Sequence, residues 1–430
     1  MRLLKTALKF SLLLPLAATS QYLQVNDSYS AQYLVENVLI DSPCANVSNF
    51  SVSGDTFSGG QNSYGYFTAN GSDFPFPNGV ILSTARAKRS EGPNVNLIDE
   101  GSVNWGGDAD LEQALGITGT INATSLEFDF TPLTSQISFD YIFASEEYHD
   151  DAQCQYSDGF AFLLRPADGS QPYQNLALIP NTNIPVLVTN VHPAVPGACP
   201  AANQEFFGQY NGVNSAINYN GQTAVLTARA NVVPGVTYHI KLVIADHHNY
   251  RYDSAIFLSG GSFSVGTDIG PDRLIATNNP VCENDVYVLD ATEPSATAYQ
   301  WYKGNTIIPG STGPQFTVTE PGTYRAEVTL GSTGCVAWGE AVVEYSMLPQ
   351  VNTITLAQCD DNGDGITVFD LTRANNTITT LPANTYTVFF YPTPADALAE
   401  TNQITQPTTY TSVAGSVFAK VTNIDRKSVV

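Results

Sequence analysis

Charge is scarce in this sequence, and basic charge scarcer still. Only 13% of the 430 residues are charged, and 17 Lys plus Arg stand against 40 Asp plus Glu, a formal net charge of −23. We therefore expect no nucleic-acid partner, since binding phosphates needs clustered Lys and Arg. Histidine is sparse (5) and methionine almost absent (2). No HExxH, GxSxG or CxxC spacing occurs, so the zinc-protease, nucleophile-elbow, zinc-finger and thioredoxin-like readings have nothing to rest on.

Long apolar runs are lacking too. The longest begins the chain, where Arg2, Lys5 and Lys9 precede Leu12, Leu13, Leu14 and Leu16, followed by the small residues Ala17, Ala18 and Ser20. Its apolar core of about ten residues is well short of the roughly 20 that span a bilayer. The pattern predicts a secretory signal peptide over residues 1–20, cleaved after Ser20. We expect no membrane insertion of the mature chain. In an exported chain, the six cysteines point to disulfides. The excess of carboxylates suits either solubility outside the cell or divalent cation sites.

What is abundant is strand and turn material: 22 Tyr, 21 Phe, 33 Gly and 25 Pro. From 21 to 266 the sequence reads as short strands, the clearest being 125–130, 136–144, 159–164, 223–228, 237–245 and 255–258. Ile137, Phe139, Tyr141, Ile142 and Phe143 are apolar on both strand faces, as in a well-covered inner strand. Asp108 introduces a lone helical candidate, 109–115. The expected fold class is all-β: a jelly-roll-like β-sandwich followed by immunoglobulin-like β-sandwich modules. The second module, 270–346, places Trp301 on a strand and Tyr324 at a strand corner, although Ala326 stands where an antibody-type domain has its second cysteine. The third, 348–430, is expected to be a repeat that the sequence contains incompletely.

The densest polar cluster is Ser145-Glu146-Glu147-Tyr148-His149-Asp150-Asp151, which follows one strong strand; Asp158 opens the next. Asp246 and Asp253 hold similar strand-end positions. Glu146 or Glu147, with Asp158, Asp246 and Asp253, are expected to converge on one calcium ion, which takes six to eight oxygens in flexible geometry. The alternative is a set of solvated loop carboxylates that never meet. A glycosidase could use such carboxylates, but neighbours on a strand face opposite ways, so Glu146 and Glu147 cannot both serve one substrate unless the strand ends or bulges. A zinc site of Asp246, His247 and His248 is an alternative use of the same loop, against exposed histidines with no metal. Asp360, Asn362, Asp364 and Gly365 match the opening of a calcium loop, but the twelfth position is Leu371 and strand-like sequence follows, so a metal-free Asx-rich turn competes with an ion-stiffened one. We expect disulfides Cys154–Cys199 and Cys282–Cys335, with Cys44 unassigned.

Three separated motifs now point to a family. Phe139-Asp140-Tyr141-Ile142-Phe143-Ala144-Ser145-Glu146-Glu147-Tyr148, then Asp158-Gly159-Phe160-Ala161-Phe162-Leu163-Leu164, then Leu242-Val243-Ile244-Ala245-Asp246 with Asp253-Ser254-Ala255-Ile256-Phe257-Leu258 together resemble the choice-of-anchor L domain of Bacteroidota surface proteins. The remainder resembles the immunoglobulin-like and Cys/Asp-rich repeats that follow it in such proteins, which end in sorting or gliding-motility-associated anchoring segments. The resemblance implies secretion and display on the outer cell surface. A binding or adhesion protein recognising an extracellular glycan or protein is the leading expectation, and not an enzyme. A polysaccharide hydrolase using Glu146 or Glu147 with Asp158 or Asp246, and a stalk without a ligand, are the alternatives.

Overall fold

The computed structural model describes residues 22–40, 45–277, 279–283, 285–331, 335–346, 349–383, 385–423 and 428–429. The expected signal peptide and Cys44 lie outside the described residues. The protein is almost entirely β, as its composition suggests. It divides into two compact units, Met1–Gly266 with Ser332–Cys335, and Thr267–Gly331 with Val336–Val430.

The first unit holds two large antiparallel sheets and a short two-stranded one, Thr56–Phe57 with Gln61–Asn62. One large sheet runs in the order β1 (Gln24–Asn26), β3 (Tyr64–Thr68), β4 (Asn78–Ser83), β12 (Ser254–Ser259) and β6 (Gln136–Ser145). On its far side β6 also pairs with β9 (Gly221–Thr223) and β10 (Leu226–Asn231). The other large sheet runs β8 (Gln174–Asn175), β7 (Gly159–Pro166), β11 (Tyr238–His247), β5 (Thr120–Pro132) and β2 (Ala45–Ser53).

Strand β6 shows why its sequence does not alternate. Phe139 and Phe143 meet Phe162 and Phe160 of the other sheet, with ring centroids 4.9 and 4.7 Å apart. Each such pair adds about 0.5–1.5 kcal/mol beyond area burial. On the opposite face, Ile142 and Ala144 join a second buried cluster with Phe67, Phe257, Ile98 and Tyr219, so loops cover that side. The expected strand over 223–228 is in fact interrupted. Gln222 pairs with Ala144 and Leu226 with Tyr141, so four steps on one strand oppose three on the other, and the extra residue forms a bulge.

Helix α1 (Ala109–Leu115) forms as its sequence predicts. The Asp108 carboxylate accepts from Leu111 N at 2.9 Å, and Gly116 ends the helix at φ 67°. Its Leu111 packs on Ala161, Leu163, Val243 and Ala245, covering the outer face of the second sheet. Cys154 and Cys199 are joined by the expected disulfide, with a Cα–Cα distance of 5.9 Å.

In the second unit, Ala296–Lys303 pairs with Gly322–Leu330, and Tyr287–Asp290 with Gln315–Val318. Trp301 is fully buried and donates to Gly313 O at 2.9 Å, while Tyr324 OH returns to Glu320 O at 2.7 Å. The expected Cys282–Cys335 bond is corrected: Cys335 is disulfide-bonded, but not to Cys282. Cys282 pairs in register with Ser346, whereas Cys335 opens the strand Cys335–Val343 at its far end. Further along, Tyr386–Tyr391 pairs with Phe418–Asn423, and Thr367–Phe369 with Tyr410–Ser412.

Candidate functional site

Strand register assembles the carboxylates. In the second sheet Ala245 of β11 pairs with Gly159 of β7, which sets Asp246 beside Asp158. In the first sheet Ser254 of β12 pairs with Ser145 of β6, which sets Asp253 beside Glu146, whose N–H donates to Asp253 O at 3.0 Å. The two pairs occupy the same end of the sandwich, and hydrogen bonds tie them across it. Ser254 Oγ donates to Asp158 Oδ2 at 2.7 Å, and Asp158 N donates to Glu147 Oε2 at 2.8 Å.

These groups are not solvated loop carboxylates. Asp158, Asp246, Asp253, Glu146 and Glu147 expose 1, 0, 0, 1 and 5% of their surface. Asp158 Oδ1 accepts from His247 N at 3.2 Å; Asp253 accepts from Thr84 Oγ1 at 2.9 Å and Glu100 N at 2.6 Å. Asp246 is the exception: no N–H donor reaches its oxygens, and its carboxyl lies against that of Asp158. The single Thr84 hydroxyl proton is spent on Asp253, and Thr84 Oγ1 in turn accepts from Ser254 N at 3.1 Å. Arg86 and Arg89, the nearby cations, pair with Glu100.

Burial sets the electrostatics. Desolvation pushes Glu146 and Glu147 up to about 7. It holds Asp158, Asp246 and Asp253 well above the ordinary carboxylate range, with repulsion inside the group adding to it: Glu147 acts on Asp158, and Asp158 on both Asp246 and Asp253. Glu146 is separate from this mutual repulsion. Its Oε1 accepts from Ile98 N at 2.9 Å, on the side away from Glu147, as expected of neighbours at a strand end. Thus Glu147, Asp158, Asp246 and Asp253 form one cluster, with Glu146 at its margin.

Tyr148, in the same run as Glu146 and Glu147, is core, its OH donating to Val191 O at 3.0 Å, whereas Tyr156 and Tyr250 are exposed. Asp360, Asn362 and Asp364 lie in an exposed loop and do not join the cluster. There Asp360 accepts from Gly363 N at 2.9 Å and Gly365 N at 2.7 Å, and Asp364 from Ile366 N at 2.8 Å. Among the described residues no group of three or more His, Cys, Asp or Glu side chains could hold a metal ion as it stands. Sequence reasoning missed Thr84 and Glu100, which reach Asp253 from more than 150 positions away and belong to no acidic run.

With this geometry in place, comparison with known families is decisive for the first unit. The model of the choice-of-anchor L domain matches residues 24–264, more than half of the chain. The chain belongs to the choice-of-anchor L family. The carboxylate cluster therefore lies wholly within the choice-of-anchor L domain. A Flavobacterium inter-domain disulphide bond domain matches residues 355–429. Both domains fit an extracellular, cell-surface protein. Among the described residues no helix is long and apolar enough to cross a membrane. No curated protein matches the chain. Among solved structures, a beta-1,2-glucanase from Parabacteroides distasonis aligns at 8% identity over 76% of this chain, with a TM-score of 0.19. The alignment spans 39% of that chain, and a likeness this slight carries no argument.

Proposed function

We propose that this chain is a displayed binding protein without catalytic activity. Its choice-of-anchor L domain engages an extracellular glycan or protein, and the following modules, the first of them immunoglobulin-like, act as spacers. The burial of the carboxylates carries the reading. A glycosidase needs two carboxyl groups in contact with its sugar, about 5–10 Å apart. Here the candidate acids and nucleophiles, Glu146, Glu147, Asp158 and Asp246, are at most 5% exposed, and Glu147 and Asp158 are already bonded among strand ends.

In this reading the cluster braces the binding domain, and calcium is its proposed counterion. A divalent cation would offset the repulsion among four buried carboxylates and give the Asp246 oxygens a cationic partner. Binding would draw together side chains that now spread over separate hydrogen bonds.

The test incubates the whole chain with a panel of polysaccharides and surface proteins, with and without a chelator, reading both retained ligand and new reducing ends. Retention without product supports the proposal. Reducing ends that disappear with Glu147→Gln or Asp158→Asn overturn it. Calcium has its own readout: at a hundredfold excess over its Kd it should stabilise the fold by about 2.7 kcal/mol. A melting temperature unmoved by millimolar calcium removes the ion from the proposal.

A further inference from the structure

A cleft of about 220 Å³ opens on the outer face of the second sheet of the first unit, lined by Asp110, Gln113, Ala114, Tyr173 and Asn175. None of these belongs to the acidic cluster, and no motif in the sequence draws attention to them. Two elements build it. Helix α1 contributes Asp110, Gln113 and Ala114, whose spacing of three and four puts them on one helix face. The edge segment leading through β8 contributes Tyr173 and Asn175, two apart and hence on one side of an extended chain.

Three of the five lining groups, Asp110, Tyr173 and Asn175, are held in place from behind. Lys241 Nζ, from the central strand β11, bonds Asp110 Oδ2 at 2.8 Å and Asp108 Oδ2 at 2.6 Å. The Arg165 guanidinium sits 4.2 Å over the Tyr173 ring. Asn175 Oδ1 accepts from Phe162 N at 3.2 Å and Ala177 N at 2.9 Å, which fixes the amide and leaves its Nδ2 buried with no acceptor. A buried donor without a partner is costly unless something supplies an acceptor.

We propose that this cleft binds one residue of a neutral glycan. The inference rests on reading the first domain as a binding module, and names its site and ligand class. One carboxylate, two amides and an aromatic ring match a polyol, whose hydroxyls donate to Asp110 and accept from Asn175 Nδ2 and Gln113. Asp110 disfavours anions, because the Lys241 charge is already shared between two aspartates. Ala114 and Tyr173 alone offer too little apolar wall for a lipid. The volume lies below the roughly 300–1,000 Å³ of drug-sized pockets, which limits the occupant to a single sugar unit.

The test uses the full chain on an array of neutral and acidic glycans, followed by titration with the best neutral binder. Asn175→Asp keeps the acceptor for the two backbone N–H groups and removes the donor; Gln113→Ala changes an exposed helix position without threatening the fold. Each variant should weaken the neutral glycan by roughly tenfold or somewhat less, the worth of one hydrogen bond, and Gln113→Ala should do so with the melting temperature unchanged. If both variants bind a captured glycan as tightly as the original chain, the cleft is wrong while the binding-domain reading stands. If the original chain captures only acidic glycans, or none, the cleft is overturned as a neutral-sugar site, and surface-protein ligands decide the wider reading separately.

Discussion

Two acidic runs in this chain share a composition and have opposite fates. The loop at 360–365 matches a calcium pattern in sequence, yet its carboxylates are consumed by its own backbone. Asp360 and Asp364 cap N–H groups, and Gly363 and Gly365 supply the φ values of 69° and 83° that the turn requires. The run after β6 matches no short motif. Its members instead meet partners brought from β7, β11 and β12 by strand register, and Asp246 ends buried with no N–H donor to its oxygens. Local spacing is thus sufficient to build a self-satisfied turn. An unsatisfied cluster requires tertiary structure, because only burial denies its carboxylates water.

The largest expected effect that separates the two is pH dependence. Glu146 and Glu147 are pushed up to about 7 by burial, and the three aspartates are raised as well. A carboxyl group whose folded pKa is raised binds its proton more tightly in the folded state. Its stabilising contribution is present below the unfolded value of about 4.5 and is lost as pH rises through the folded one. Denaturant unfolding in chelator should therefore show the first domain losing several kcal/mol between pH 5 and pH 8. A flat or rising profile would break the contrast.

Next in size is Thr84→Val, an isosteric change at the hydroxyl that bridges Asp253 and Ser254 N. It strands one buried acceptor and one buried donor, each costing about 1–3 kcal/mol. A loss of about 3 kcal/mol at neutral pH is expected. A loss under 1 kcal/mol would mean that the cluster is less tightly sealed than its burial implies.

Thr84 also marks where sequence reading stops. Strand β6, helix α1 with its Asp108 cap, the Cys154–Cys199 bond and the meeting of Glu147, Asp158, Asp246 and Asp253 were legible because each depends on periodicity, on a local cap or on strand-end position. Thr84 was not, since a lone threonine after β4 carries no sign that it faces a carboxylate 169 residues away. The bulge opposite β6 escaped for the same reason: it follows from pairing register, which strand patterns alone leave open. The cleft of Asp110, Tyr173 and Asn175 joins a helix to an edge strand, and no single segment announces it.

The smallest effect closes the comparison from the other side. Asp360→Ala removes the acceptor for Gly363 N and Gly365 N, but both lie in an exposed loop where water replaces the lost bonds. The cost should be about 1 kcal/mol or less, as for a lost cap. Any calcium response of the melting temperature should survive this change intact and be abolished by Asp246→Asn, which keeps the shape of the side chain but removes its charge. If instead Asp360→Ala erases the response and Asp246→Asn leaves it, the sequence motif is the ion site, and the buried cluster is held together by protons alone.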